Sequence, residues 1–185
     1  MEESGLSNVI GRILRDIAVE LGDEFDKNFE REGFFSERWQ RRKSPVGKGG
    51  VLTASGQLRR SIKSRATGDS ITFYSDLPYA AIHNEGGEIK VTRKMKAFFW
   101  HKYYEATDSF GRRKDGTPRK DKRTLQLSTE AEFWKALALM KSGASIKIPK
   151  RQFLGASPEV EQAVLEIIEE ELSKYFDNDF KIETR

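Results

Sequence analysis

The chain contains no cysteine among its 185 residues. Disulfides and thiolate metal sites are thereby excluded, and the composition fits a reducing compartment. Histidine occurs only at His83 and His101, too few for a multi-histidine metal centre. No apolar run approaches the roughly 18 residues that a membrane-spanning helix needs. The N-terminus, Met-Glu-Glu-Ser-Gly-Leu-Ser, lacks the basic segment and apolar run of a signal peptide, so a cytoplasmic location is expected. Gly47-Lys48-Gly49-Gly50 lacks the Gly-x-x-x-x-Gly-Lys-Ser/Thr spacing and follows no strand, so it is not a phosphate loop. No cofactor, metal or catalytic set is expected.

What the chain does have is charge, unevenly spread. The net value is +4, yet residues 1–35 hold nine acids against four bases and residues 159–185 nine against three. The middle, 36–158, carries 26 bases against 11 acids. Acidic ends with a basic centre suit either nucleic acid or packing between copies of the chain, and they also suit two solvated helices.

The length favours a single domain over 1–185 with room for an insertion. Leu6, Val9, Ile10, Ile13, Leu14, Ile17, Leu21, Phe25 and Phe29 recur every three or four positions, predicting an amphipathic helix over 5–31 that stops at Gly33. A helical or turn-like piece anchored by Trp39 is expected at 36–42, then a loop at 44–50. Two β-like runs flank Gly68-Asp69 and predict a hairpin over 61–75. Residues 79–84 suit one helical turn closed by Gly86-Gly87.

The runs 88–92 and 145–148 are expected to pair as stalks of an inserted helical excursion over 93–143. Met95, Phe98, Phe99 and Tyr103 predict one helix there. Thr129 with Glu132 predicts a capped start for a second, ending near Ser142 with Gly143 as its stop. Between them 107–127 is expected to be a mobile basic loop. Ser157 and Pro158 open a last helix with the stripe Val160, Val164, Ile167, Ile168, Leu172, Tyr175 and Phe176. No repeats occur. The order points to an α+β fold, a small antiparallel sheet packed with long N- and C-terminal amphipathic helices.

Three short blocks carry the functional information. In Leu-Thr-Ala-Ser-Gly-Gln-Leu-Arg-Arg-Ser-Ile (52–62), Leu58 and Ile62 are expected to share a helical face, with Arg59, Arg60, Lys63 and Arg65 projecting elsewhere. Those bases read either as a patch facing DNA or an acidic neighbour, or as solvated arginines. In Tyr-Ala-Ala-Ile-His-Asn-Glu-Gly-Gly (79–87), Tyr79 and His83 are four apart with Glu85 nearby. An acid–base pair is conceivable there, but no activated nucleophile accompanies it, and a structural or interface histidine is the simpler reading.

In Ile-Pro-Lys-Arg-Gln-Phe-Leu-Gly (148–155), Phe153 and Leu154 read as core anchors. Arg151 is left to pair within the chain or with a neighbouring subunit. Arg112, Arg113, Lys114, Arg119, Lys120, Lys122 and Arg123 form the densest basic run, able to neutralise phosphates without reading sequence, or simply solvated. Phe110 is the only aromatic between Tyr104 and Phe133, which argues against base stacking.

The blocks resemble, in order and wording, the phage virion-morphogenesis family of Mu-like tail-completion proteins. The likeness lies in the Leu-Thr-x-Ser/Thr-Gly-x-Leu-Arg-x-Ser-Ile, Tyr-Ala-x-x-His-x-x-Gly-Gly and Ile-Pro-x-Arg-x-Phe-Leu-Gly patterns. It implies a structural protein of the virion, acting at the tail end or head–tail junction as an oligomer, often a ring, beside tail or connector proteins. The 93–143 excursion exceeds that compact pattern. The competing readings are a sequence-independent nucleic-acid-binding protein and a hydrolase using His83 and Glu85.

Overall fold

Apolar side chains at every third or fourth position wind Glu2–Arg31 into one long helix, α1. The computed structural model describes residues 2–47 and 49–179, without the side chains of 2–4, 6, 178 and 179. Lys48 of the expected loop and the Leu6 side chain of the expected stripe thus lie outside the described residues. Val9, Leu14, Ile17, Leu21, Phe25 and Phe29 are buried along one face of α1, while Glu24 pairs with Lys27 and Arg31 on its exposed side.

The helix ends at Glu32, whose φ of +50° breaks the helical path. Gly33, expected as the stop, has a different role. It begins a minimal antiparallel ribbon, β1 (Gly33–Phe34) with β2 (Glu37–Arg38), and a Cβ on it would lie 2.6 Å from the Glu37 carbonyl oxygen. This ribbon replaces the helical piece expected at 36–42. Phe35 reverses the chain at φ +50°, with its N–H donated to the Asn28 side chain at 3.0 Å.

Helix α2 is a single turn, Gln57–Arg60. Ile62 therefore does not share a helical face with Leu58; it opens β3 (Ile62–Thr67), which pairs with β4 (Ser70–Ser75) through the turn at Gly68-Asp69. Helix α3 spans Ala80–Glu85 and yields to Gly86 and Gly87 at φ +75° and +148°, a region glycine enters without steric cost. Strand β5 (Gly87–Lys90) pairs antiparallel with β6 (Ser145–Ile148), Ile89 opposite Ile146, as the sequence predicts.

Helix α4 covers Arg93–Asp108 and is capped by Thr92, which accepts the N–H of Met95. Helix α5 covers Lys122–Leu139, so it starts well before the predicted Thr129. Asp121 is the cap, accepting the Thr124 N–H at 2.8 Å. Thr129 sits mid-helix, its hydroxyl donating to the Leu125 carbonyl one turn back. The basic loop shrinks to 109–121 and is closed by a bridge between Arg112 and Pro118. Helix α6, Pro158–Asp179, opens with Ser157 accepting the Val160 N–H, as predicted.

The fold class is α+β. Among the described residues the strands form three separate two-stranded antiparallel ribbons. The chain divides into two compact units. The first comprises Met1–Trp39, Gly50–Glu85 and Lys150–Arg185; the second comprises Gln40–Gly49 and Gly86–Pro149, and contains the 93–143 excursion. In the first, Phe25 stacks on Phe34 and meets Phe73 edge-on, next to Ile17, Leu21 and Ile167. In the second, Phe99, Ala106, Ala131 and Ala138 are buried, and Trp134 packs on Phe98 and Phe99.

Candidate partner surface

The three sequence blocks meet inside the first unit. Leu52, Leu58 and Ile62 from the first, Ala80 from the second, and Phe153 and Leu154 from the third join one apolar cluster with Phe29 and Trp39. Burial of this cluster is the main force holding the blocks together. Polar contacts then fix their register. Arg151 donates its backbone N–H to the His83 carbonyl at 2.8 Å, and the Asn84 side-chain oxygen accepts the N–H groups of Phe153 and Leu154. The Trp39 indole donates to the Gln152 carbonyl at 2.7 Å, and Tyr79 donates to Gln57.

Asn28, Trp39 and Asn84 thus position the motifs as firmly as the residues singled out from sequence. Asn28 is fully buried, accepting from Phe35 and donating to the Phe153 carbonyl. The one sequence signal for it was a polar residue beside Phe29 on the buried face of an amphipathic helix.

Each basic candidate of the first block has an internal engagement. Arg59 binds both Asp26 and Glu30 on α1 through its guanidinium, and those carboxylates raise its already high pKa. Arg60 donates to the Ser55 carbonyl. Lys63 pairs with Asp76, which raises the lysine pKa. Arg65 lies over the Tyr74 ring, 5.5 Å from its centroid. Arg59 therefore ties block one to the acidic helix of its own chain, an intrachain version of the basic-to-acidic pairing that the charge pattern suggests.

His83 stands half-buried on α3. Its Nδ1 is buried without a hydrogen-bond partner, and among the described residues no group of side chains is placed to hold a metal ion. Burial, and secondarily the nearby Arg151 cation, lower its pKa. Arg151 itself is buried, while Glu85 is exposed. Tyr79 meets His83 edge-on at 6.1 Å.

The remaining basic candidates all lie in the second unit. Arg112 donates to the Gly116 carbonyl and Arg119 to the Arg112 carbonyl, which shapes the loop. Arg113, Lys114, Lys120, Lys122 and Arg123 are exposed around it. Divided by unit, the charge separates further than it does along the chain. The first unit holds 14 bases and 22 acids, a net of −8, and the second 19 bases and 7 acids, a net of +12. Such opposed fields favour attraction between unlike units of different molecules.

Among the described residues no helix is long and apolar enough to cross a membrane. Residues 7–173 match the phage virion morphogenesis family. No curated protein and no solved structure matches the chain.

Proposed function

The chain belongs to the phage virion morphogenesis family, and from that membership we propose that it completes the tail or joins head to tail as an oligomer. The observation that carries the assembly role is the family match, which spans both compact units and all three blocks. A structural part in the virion, rather than catalysis, is what this membership supports. The charge division supports self-association. An acidic unit on one copy facing a basic unit on the next is a heterologous contact, which closes into a ring or runs on as a filament.

The experiment is disruption of the gene in a producing phage or prophage, with complementation in trans. Lysates should contain heads and tails that remain unjoined, or tails of abnormal length, by electron microscopy. Normal infectious particles from the disrupted phage would remove the reading. Oligomerisation is checked by light scattering, which should give a multimer at low salt.

The +12 unit also favours a second reading, non-specific contact with nucleic acid. A gel shift that weakens steeply with salt, and is lost when Arg112, Arg113, Lys114, Arg119 and Lys120 are changed together to glutamine, would support it. A shift that survives those changes would place any such contact elsewhere.

A further inference from the structure

The first unit carries an open groove of about 630 Å3. It is lined by α1 from Ile10 to Phe25, by Val160, Val164 and Ile168 of α6, and by Ile71 and Phe73 of β4. Its one charged lining residue is an acid, Asp69. Asp16 and Glu20 on α1 and Glu161 and Glu169 on α6 stand exposed next to lining residues, against Arg15 beside Leu14 and Arg12 beside Ile13, with Arg12 paired to Glu171. Leu165, 53% exposed, follows Val164. An apolar trough with an acidic border, on a unit of net charge −8, selects an apolar ridge flanked by bases.

Helix α5 of the basic unit presents an exposed face with a leucine near each end. Thr124, Ala131 and Ala138, seven residues apart, face inward and are buried. Leu125 and Leu139, each one position further along, are 60% and 63% exposed, with exposed Thr129, Glu132 and Ala136 between them on the same face. Lys122, Arg123 and Lys135 are exposed nearby. The lengths agree: at a helical rise of about 1.5 Å, Ile10 to Phe25 spans about 22 Å, and Leu125 to Leu139 about 21 Å.

We propose that the groove of one copy seats α5 of a second copy, with Leu125 and Leu139 along the trough and Lys122 and Arg123 against its acidic border. This rests on the oligomeric reading given above and names the two surfaces that make the contact. The contact is heterologous, so every subunit uses its groove once and its α5 once. Glu132 is the one acid on the docking face of α5, between Leu125 and Leu139, and it opposes binding.

The test is association of the full chain by sedimentation in low and high salt, with single variants. Leu125→Glu, at an exposed site, should weaken association at least tenfold while leaving the circular dichroism unchanged. Glu132→Lys should tighten it. Val19→Glu, at a 64% exposed position of α1 outside the groove, should have no effect.

Because the chain has no cysteine, Ile10→Cys mixed with Leu125→Cys or with Leu139→Cys should give a disulfide-linked pair, and none of the three variants should link to itself. A wild-type monomer at every salt concentration would sink the oligomer reading and this one together. An oligomer indifferent to Leu125→Glu, a self-linked Ile10→Cys dimer, or no cross-link in either mixture would overturn the groove assignment and leave oligomerisation standing.

Discussion

The side-chain oxygen of Asn84 accepts the backbone N–H of Phe153 at 2.9 Å, across 69 residues of sequence, and takes that of Leu154 at 3.0 Å as well. With the bond from the Arg151 N–H to the His83 carbonyl, this pins the strap 151–154 to the end of α3. The histidine motif therefore works through its backbone and its following asparagine.

Asn84→Ala should cost on the order of 3 kcal/mol, since two part-buried N–H groups lose their acceptor together. Asn84→Asp retains an acceptor and should cost less. Urea unfolding measures both, and equal losses for the two variants would contradict the clamp.

Phe153 is 1% exposed and its ring lies 5.3 Å from that of Phe29. Phe153→Ala should lower stability by about 3–5 kcal/mol through lost burial and the cavity left behind. Trp39 fluorescence should report the loss, because Trp39 packs edge-on against Phe29 in the same cluster.

Two glycines should respond to alanine with opposite signs. At Gly22, inside α1, an added Cβ meets nothing within 4 Å, so Gly22→Ala should stabilise by about 0.5–1 kcal/mol. At Gly33 the same Cβ meets the Glu37 carbonyl oxygen at 2.6 Å, so Gly33→Ala should destabilise by about 1–3 kcal/mol. Thermal melts of both variants beside wild type decide the matter.

The pH dependence of stability should carry a His83 component. Burial and then Arg151 depress its pKa from the ordinary 6.5, so the folded state binds fewer protons than the unfolded one. The contribution is present in full above about pH 6.5 and is lost as pH falls through the folded value. The carboxylates of Glu24, Glu159 and Glu171 are also depressed, but from 4.5, so their loss comes at lower pH. Urea midpoints should fall between pH 6.5 and 5 in wild type and much less in His83→Gln. Parallel curves would remove the assignment.

Periodic stretches were the most legible. The stripe of α1, the Ser157-Pro158 start of α6, the hairpin about Gly68-Asp69 and the β5–β6 pair all follow from local pattern, because each is specified by neighbours within a turn or a strand. The structure departs from local pattern where two signals compete or where a backbone reversal carries no residue signature. Asp121 and Thr129 both offer a helix cap, and the helix starts at the earlier one, where Asp121 accepts the Thr124 N–H and Thr124 is buried on the same face as Ala131 and Ala138. The 33–38 ribbon was hidden because positive φ at Glu32 and Phe35 is not written in those residue types.

By itself the sequence determined α1, α4 and α6, the β3–β4 and β5–β6 pairs, the charge asymmetry and the family likeness, all properties of residue type and short-range order. Tertiary structure alone decided that the three blocks share one cluster and that Arg59 is matched by Asp26 and Glu30 of its own chain. It also decided that the charge divides into an acidic and a basic unit, the acidic one with an open apolar groove. The physical reason is separation along the chain. Contacts across tens of residues depend on how buried faces close on one another, and no local spacing encodes that closure.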